Sequence, residues 1–303
     1  MSSGPVTWDE KRQSSLSLPQ FNLRFRLLRF ICNKISDLFF LVFVYAYPYR
    51  KEVILKNLKI AFPGLSAVRY NELLNAYYRH MADLLTEPFL IGFCKKRDLN
   101  RLVRYENAAL VKGILDSGKD VVLMASHYGN WEYMLSMPMV LNGKVLTAFS
   151  TVSNSWLNNR LKKMRGKYGM GMIPKQDWYR ASLKCDSSEP TVFIAVADQR
   201  PVGVSKETVH FFDQKTYIQC GAARLAKQRN AVMVYLDVKK QGRNVYSYRF
   251  VQQSALPGTT DVNSMMMEYY SHLEKTIARQ PELWLWSHNR WKFNQTTFQP
   301  AVI

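Results

Sequence analysis

The chain has 303 residues, 47% of them apolar, enough to fill one large core or two modest ones. Lysine and arginine outnumber aspartate and glutamate by 42 to 23, a net charge of +19 that attracts polyanions, anionic lipid surfaces or acidic proteins without choosing among them. The four cysteines (Cys32, Cys94, Cys185 and Cys220) show no paired thiolate spacing, which argues against a disulfide framework or a zinc knuckle and for ordinary reduced thiols.

Residues 1–20 form a polar tail that does not read as a standard secretory signal. Residues 21–62 then interleave Arg24, Arg26, Arg29, Lys34, Arg50, Lys51, Lys56 and Lys59 with aromatic and aliphatic side chains, against only Asp37 and Glu52. The apolar run Leu38–Tyr47 is far shorter than the roughly 20 residues a helix needs to cross a bilayer. Joining it to the preceding segment would bury Asn33, Lys34 and Asp37 in hydrocarbon, which is costly. The pattern predicts an interfacial amphipathic anchor on an anionic membrane surface, with a single crossing as the alternative.

From residue 63 to 303 the chain reads as one catalytic-sized domain. Ser66 caps a helix over 66–90, whose apolar residues Leu73, Leu74, Tyr77, Met81, Leu84 and Leu85 repeat at about 3.6 residues. A charged connector, Lys95–Arg104, leads to a helix near Glu106–Ser117, and Gly118-Lys119-Asp120 turns into the strand Val121–Ala125. Further strands are expected at Val145–Phe149, Thr191–Ala197, Ala231–Asp237 and Val245–Gln252, and helices at Ser155–Tyr168, Ile218–Gln228 and Asn263–Arg279. Strands alternating with helices predict an α/β fold, a mainly parallel central sheet flanked by helices. In such sheets ligands bind beyond the carboxyl ends of strands. Two polar clusters stand there: His127–Glu132 after one strand and Asp198-Gln199-Arg200 after another.

His127 and Glu132 are the pair best suited to acid–base chemistry. An imidazole works as a base near neutral pH, and a carboxylate against one ring nitrogen fixes its tautomer and supports the imidazolium. The five-residue offset predicts a turn followed by a helix start. Ser126 points to the opposite side of an extended strand from His127, and no Gly-x-Ser-x-Gly elbow supports a serine hydrolase. No convergent set of His, Asp and Glu around Asp198 suggests a metal, and no cofactor is expected. The charge carries no recognised nucleic-acid-binding module, so nucleic acid is not expected as a partner.

The run His127-Tyr128-Gly129-Asn130-Trp131-Glu132 resembles the histidine, four-residue, acid signature of the lipid A biosynthesis lauroyl and myristoyl acyltransferases, within the lysophospholipid acyltransferase superfamily. The likeness is carried further by Asn154-Ser155-Trp156-Leu157-Asn158, Arg165-Gly166-Lys167-Tyr168-Gly169, Ala197-Asp198-Gln199-Arg200 and His210-Phe211-Phe212. It continues through Gly221–Ala226 to the ending Arg279–Lys292, and upstream through Tyr49–Pro63. Asp213 stands where that family normally has glycine.

The resemblance implies transfer of a fatty acyl group from an acyl thioester to a hydroxyl or amine of a membrane lipid acceptor such as a lipid A precursor. Acyl carrier protein is the favoured donor over acyl-CoA, and the bacterial inner membrane's cytoplasmic face is the expected location, peripherally or by one crossing. His127 is then the base and Glu132 its partner. Gly129 and Arg165 are candidates for holding the developing oxyanion or an acceptor phosphate. Asn130, Asp198 and Gln199 shape the substrate site, and Trp131, Met134 and Leu135 are candidates for the wall of an acyl pocket. A lipid or thioester hydrolase, or a catalytically silent lipid-binding protein of the same fold, are the alternatives.

Overall fold

The computed structural model describes residues 22–141, 143–150, 166–202, 205–253 and 257–292. Its centre is a seven-stranded sheet in the order β1-β9-β8-β2-β5-β3-β4. The strands are β1 (Val103–Glu106), β2 (Val121–Ala125), β3 (Lys144–Phe149), β4 (Gly171–Pro174), β5 (Thr191–Val196), β8 (Val232–Gly242) and β9 (Val245–Gln252). Every neighbouring pair is parallel except β8 and β9, which form an antiparallel hairpin. All five residues of β2 are buried, so both faces of the sheet are covered at its centre, as a parallel sheet requires. The mainly parallel α/β architecture expected from the alternating pattern is therefore present.

Four strands were not anticipated. The charged connector is helix over Lys96–Leu102 and then β1, an edge strand paired only to β9. β4 is a second edge strand. Neither carries enough apolar residues for periodicity to find it, because an edge strand is buried on fewer sides. The pair β6 (Thr208–Phe211) and β7 (Gln214–Tyr217) forms a separate hairpin. Its turn residues Phe212 and Asp213 both have positive φ, 52° and 56°. A two-residue turn of that hand most readily takes Asn, Asp or Gly, which suits Asp213. The expected helix Ser155–Tyr168 lies almost wholly outside the described residues, as does Arg165.

The N-terminal helices pack onto this sheet. α1 (Leu23–Leu41) is capped by Asn22, whose side chain accepts from the Phe25 amide, and it ends in a widened turn where the Tyr47 amide donates to the Val42 carbonyl. α2 (Lys51–Ala61) leads to α3 (Ala67–Phe93), capped as expected by Ser66, which accepts from the Arg69 amide. α1 lies against α3: Ser36 Oγ donates to Asp83 Oδ1 at 2.8 Å, and Arg79 pairs with Asp37 at 2.7 Å. Among the described residues no helix is long and apolar enough to cross a membrane.

One buried side chain joins the two ends of the chain. Asn57, on α2, donates from Nδ2 to the Trp286 carbonyl at 2.7 Å and to the His288 carbonyl at 2.8 Å. Replacement by alanine leaves both carbonyls without this donor, and a buried unpaired polar group costs on the order of 1–3 kcal/mol. Asn57→Ala is expected to lower unfolding free energy by about 2 kcal/mol, read as a lower urea midpoint at unchanged slope.

Candidate active site

The parallel register of β2 with β5 aligns Ala125 with Val196. The two strands therefore leave the sheet side by side, and the second residue beyond each is His127 and Asp198. The Ala197 amide donates to the Ala125 carbonyl, extending the pairing past the strand ends. From behind, the helix Val262–Arg279 braces both exits: Tyr269 donates its hydroxyl to the Ala125 carbonyl at 2.8 Å, and Tyr270 to the Ala197 carbonyl at 3.2 Å.

The outcome is a carboxylate–imidazole pair made from residues 71 positions apart. Asp198 Oδ1 lies 2.8 Å from His127 Nδ1, and Oδ2 accepts from the His127 backbone amide at 3.1 Å and from Trp284 Nε1 at 2.9 Å. Asp198 is buried. Burial opposes its ionisation, but the adjacent His127 and the hydrogen bonds from His127 and Trp284 outweigh this and hold the carboxyl below its ordinary pKa. An ionised Asp198 accepts from Nδ1–H, which leaves Nε2 with its lone pair directed outward. The side-chain amide of Gln199 stands 3.4 Å from that nitrogen, and Trp131 meets the ring edge-on at 5.1 Å between centroids.

The carboxylate on His127 Nδ1 is Asp198, which the sequence reading had placed in the substrate site and not against the imidazole. Glu132 opens a short helical turn at Trp131–Ser136, whose start is capped by Asn130 Oδ1 accepting from the Glu132 amide at 3.0 Å. The neighbouring strand β5 delivers Asp198 directly to Nδ1. Glu132 faces the same cavity as His127.

The loop between them is held rigidly. Gly129 has φ +63°, and a Cβ there would meet Val238 Cγ1 at 2.9 Å, so both backbone and space call for glycine. Its amide donates to the Leu283 carbonyl at 2.9 Å, and the Leu285 amide donates to the His127 carbonyl at 3.1 Å. The Gly129 amide is thus committed to the closing segment, and is not the oxyanion donor the sequence suggested. Asn130 is buried and turned away from the cavity: its Nδ2 donates to Glu87 Oε2 at 2.5 Å, and its carbonyl accepts from the Tyr248 hydroxyl. Glu87, whose pKa burial raises, also accepts from Asn244 at 3.1 Å and from Tyr246.

His127 opens on a cavity of about 450 Å³. Trp131, Glu132, Met134, Leu135 and Gln199, all named from the sequence, line it. So do Phe149, Met170, Met172, Ile194 and Val196, which the sequence reading did not assign, with Thr147, Lys175 and Gln219 among the polar contributors. Most come from β3, β4, β5 and the residues flanking them, and Gln219 from the segment after β7, so only the tertiary fold brings them together. Trp284 and His288 of the closing segment sit beside this machinery. The Trp284 ring packs edge-on against Trp286 at 4.8 Å and Phe211 at 5.5 Å.

The model of the bacterial lipid A biosynthesis acyltransferase family matches residues 22–293. The protein is therefore an acyltransferase, of the class that serves lipid A biosynthesis. The chain belongs to the bacterial lipid A biosynthesis acyltransferase family, as its motifs suggested. No curated protein matches it.

His288 provides a pH test of how the closing segment sits. Its Nε2 accepts from the Arg200 amide at 3.4 Å. Burial pushes its pKa down to about 4; Asp198 pulls upward, while Arg200, Arg290 and His127 add to the lowering. In the unfolded chain the ring protonates near the ordinary histidine value of about 6.5. Between these values the unfolded state binds more protons, so stability falls as pH falls through that window. His288→Gln is expected to flatten this part of the fall in urea midpoint between pH 6.5 and 4.5.

Proposed function

We propose that this chain transfers a fatty acyl group from an acyl thioester, carried by acyl carrier protein, to a hydroxyl of a lipid A precursor at the membrane surface. The observation that carries the reading is a buried, ionised Asp198 set on His127 Nδ1 while Nε2 faces a mostly apolar cavity. An acceptor hydroxyl entering that cavity displaces the weak Gln199 contact and donates its hydrogen to Nε2. As the proton moves to His127, the hydroxyl oxygen attacks the thioester carbonyl carbon and a tetrahedral oxyanion forms. Collapse breaks the carbon–sulfur bond, and the leaving thiolate takes the proton back from the imidazolium. No enzyme nucleophile is needed.

Asp198 holds the ring and its tautomer, and stabilises the imidazolium. Glu132 adds a second negative charge on the cavity side. The amide of Gln199, freed from Nε2, is a donor at the reacting centre and fits an oxyanion contact. The apolar wall of Met134, Leu135, Met170, Met172, Ile194 and Val196 suits an alkyl chain, its methionines adapting to the chain's path. The family's place in lipid A biosynthesis supports the acceptor class. The outer face of α1, with Leu27, Phe30 and Leu38 exposed among basic side chains, suits peripheral attachment to the cytoplasmic face of the inner membrane.

Purified protein supplied with labelled acyl carrier thioester and lipid A precursor is expected to give acceptor-dependent acylation by mass spectrometry. His127→Ala should lower the rate by roughly 10²–10⁴-fold with unfolding unchanged, the range for loss of a general base. Unchanged transfer would remove His127 as the base, and free fatty acid released regardless of acceptor would point to hydrolysis.

Trp284→Phe tests the support behind the pair. It keeps an aromatic ring but removes the N–H from Asp198 Oδ2. The carboxylate then becomes more basic and the imidazolium more favoured. The acid limb of the kcat/KM profile, which reports the free base, is expected to move to higher pH, by up to about one unit. An unmoved limb with lowered stability would reduce Trp284 to packing.

A further inference from the structure

Beyond the basic amphipathic segment, a second apolar row stands exposed on the catalytic unit itself. Leu85, Phe89 and Phe93 follow one another at four-residue intervals on α3, and are 46%, 60% and 69% exposed. In a helix that spacing aligns them on one face. The opposite face carries Glu87, committed to Asn130 and Asn244 in the interior, while Asp83 is turned to Lys240 and Arg243. The row therefore points away from both buried networks.

At its far end the row meets α1, because Phe93 lines one cavity with Leu23, Phe25 and Leu28. The surrounding charge is cationic: Arg24, Arg26, Lys34, Lys95 and Lys96 are exposed, whereas Asp98 is buried and Asp37 is paired with Arg79 and Arg243. Large apolar side chains rimmed by lysine and arginine match an anionic lipid surface, with the rings in the acyl boundary and the cations at phosphate depth.

The same end of α3 is joined to the catalytic cavity. Tyr168 donates its hydroxyl to the Ile91 carbonyl at 3.0 Å, and Lys167 Nζ donates to the Cys94 carbonyl at 2.8 Å. Two residues beyond Tyr168 the chain enters the cavity wall at Met170 and then Met172.

We propose that Leu85, Phe89 and Phe93 are a second membrane-docking element, which seats the catalytic unit on an anionic leaflet with the Met170–Met172 wall of the cavity beside the lipid. Because α1 is packed onto α3, the two exposed rows together set the pose of the domain on the leaflet. A lipid acceptor then reaches the cavity from the leaflet without crossing water. The inference extends the α1 attachment proposed above, and does not depend on the roles given to His127 and Asp198.

The test uses the full chain with α1 intact. The triple variant Leu85→Ser, Phe89→Ser, Phe93→Ser is floated with vesicles of phosphatidylcholine alone or with phosphatidylglycerol. Binding to the anionic vesicles is expected to fall about tenfold or more, while acyl transfer to a detergent-dispersed acceptor stays within twofold of the parent. Undiminished flotation would overturn the α3 element. Loss of flotation in an α1 variant (Leu27→Ser, Phe30→Ser, Leu38→Ser) with the α3 row intact reports on the α1 reading separately. Equal binding of the parent to neutral vesicles would overturn the anionic part.

A labelled single variant covers the case in which the triple variant fails to fold. Phe89→Cys in a Cys185→Ser background, carrying an environment-sensitive fluorophore, is expected to shift to the blue on anionic vesicles. No shift would overturn the proposal. A shift caused by protein concentration alone, with a dimer seen in sedimentation, would overturn it in favour of a second copy of the chain.

Discussion

The site depends on the register of two parallel strands. With Ala125 aligned to Val196, two residues of extension beyond each strand end put His127 against Asp198. A shift of one residue would turn the exit side chains to the other side and separate the pair. That register is defended on several fronts: fully buried apolar side chains along β2, and tyrosine hydroxyls from the helix Val262–Arg279 on the carbonyls at the strand exits. At the other end of the strands, Asp120 ties the Thr191 amide and pairs with Arg229 at 2.7 Å.

The closing segment is the second structural condition for the chemistry. Leu283–Leu285 pairs with the backbone of the His127–Gly129 loop, and Trp284 reaches from it to Asp198. Asn57 and Arg50 then hold that segment from the N-terminal side, through the carbonyls of Trp286, His288 and Ser287. The N-terminal helices, the closing segment and the His127–Gly129 loop thus form one connected body. Attachment of α1 to a bilayer would be attachment of the site.

Much of this was legible locally. The apolar strand Val121–Ala125, the capped helix after Ser66 and the final helix before Pro281 follow from periodicity and capping, which are short-range properties of the backbone. His127, Asp198, Gln199, Trp131, Met134 and Leu135 were all singled out, and they converge on one site. The pairing within that set was not legible. Glu132 is near His127 in sequence and lines the same cavity, whereas Asp198 is distant in sequence and only the β2–β5 adjacency brings it to Nδ1. Gly129 could be seen as a turn glycine, but not that its amide is taken by Leu283. The edge strands β1 and β4 escaped notice because they carry too little buried apolar sequence to show a period.

The sequence by itself determined the family, the alternating α/β class, the inventory of reactive groups and the basic amphipathic start, since composition, spacing and motif order are properties of the chain alone. The tertiary structure decided which carboxylate holds the imidazole, which backbone donor is already occupied and which strands wall the cavity. It also decided that the exposed row on α3 adjoins α1. Each of these depends on contacts between residues far apart along the chain, and such contacts are set by strand order, register and helix packing, not by local preference.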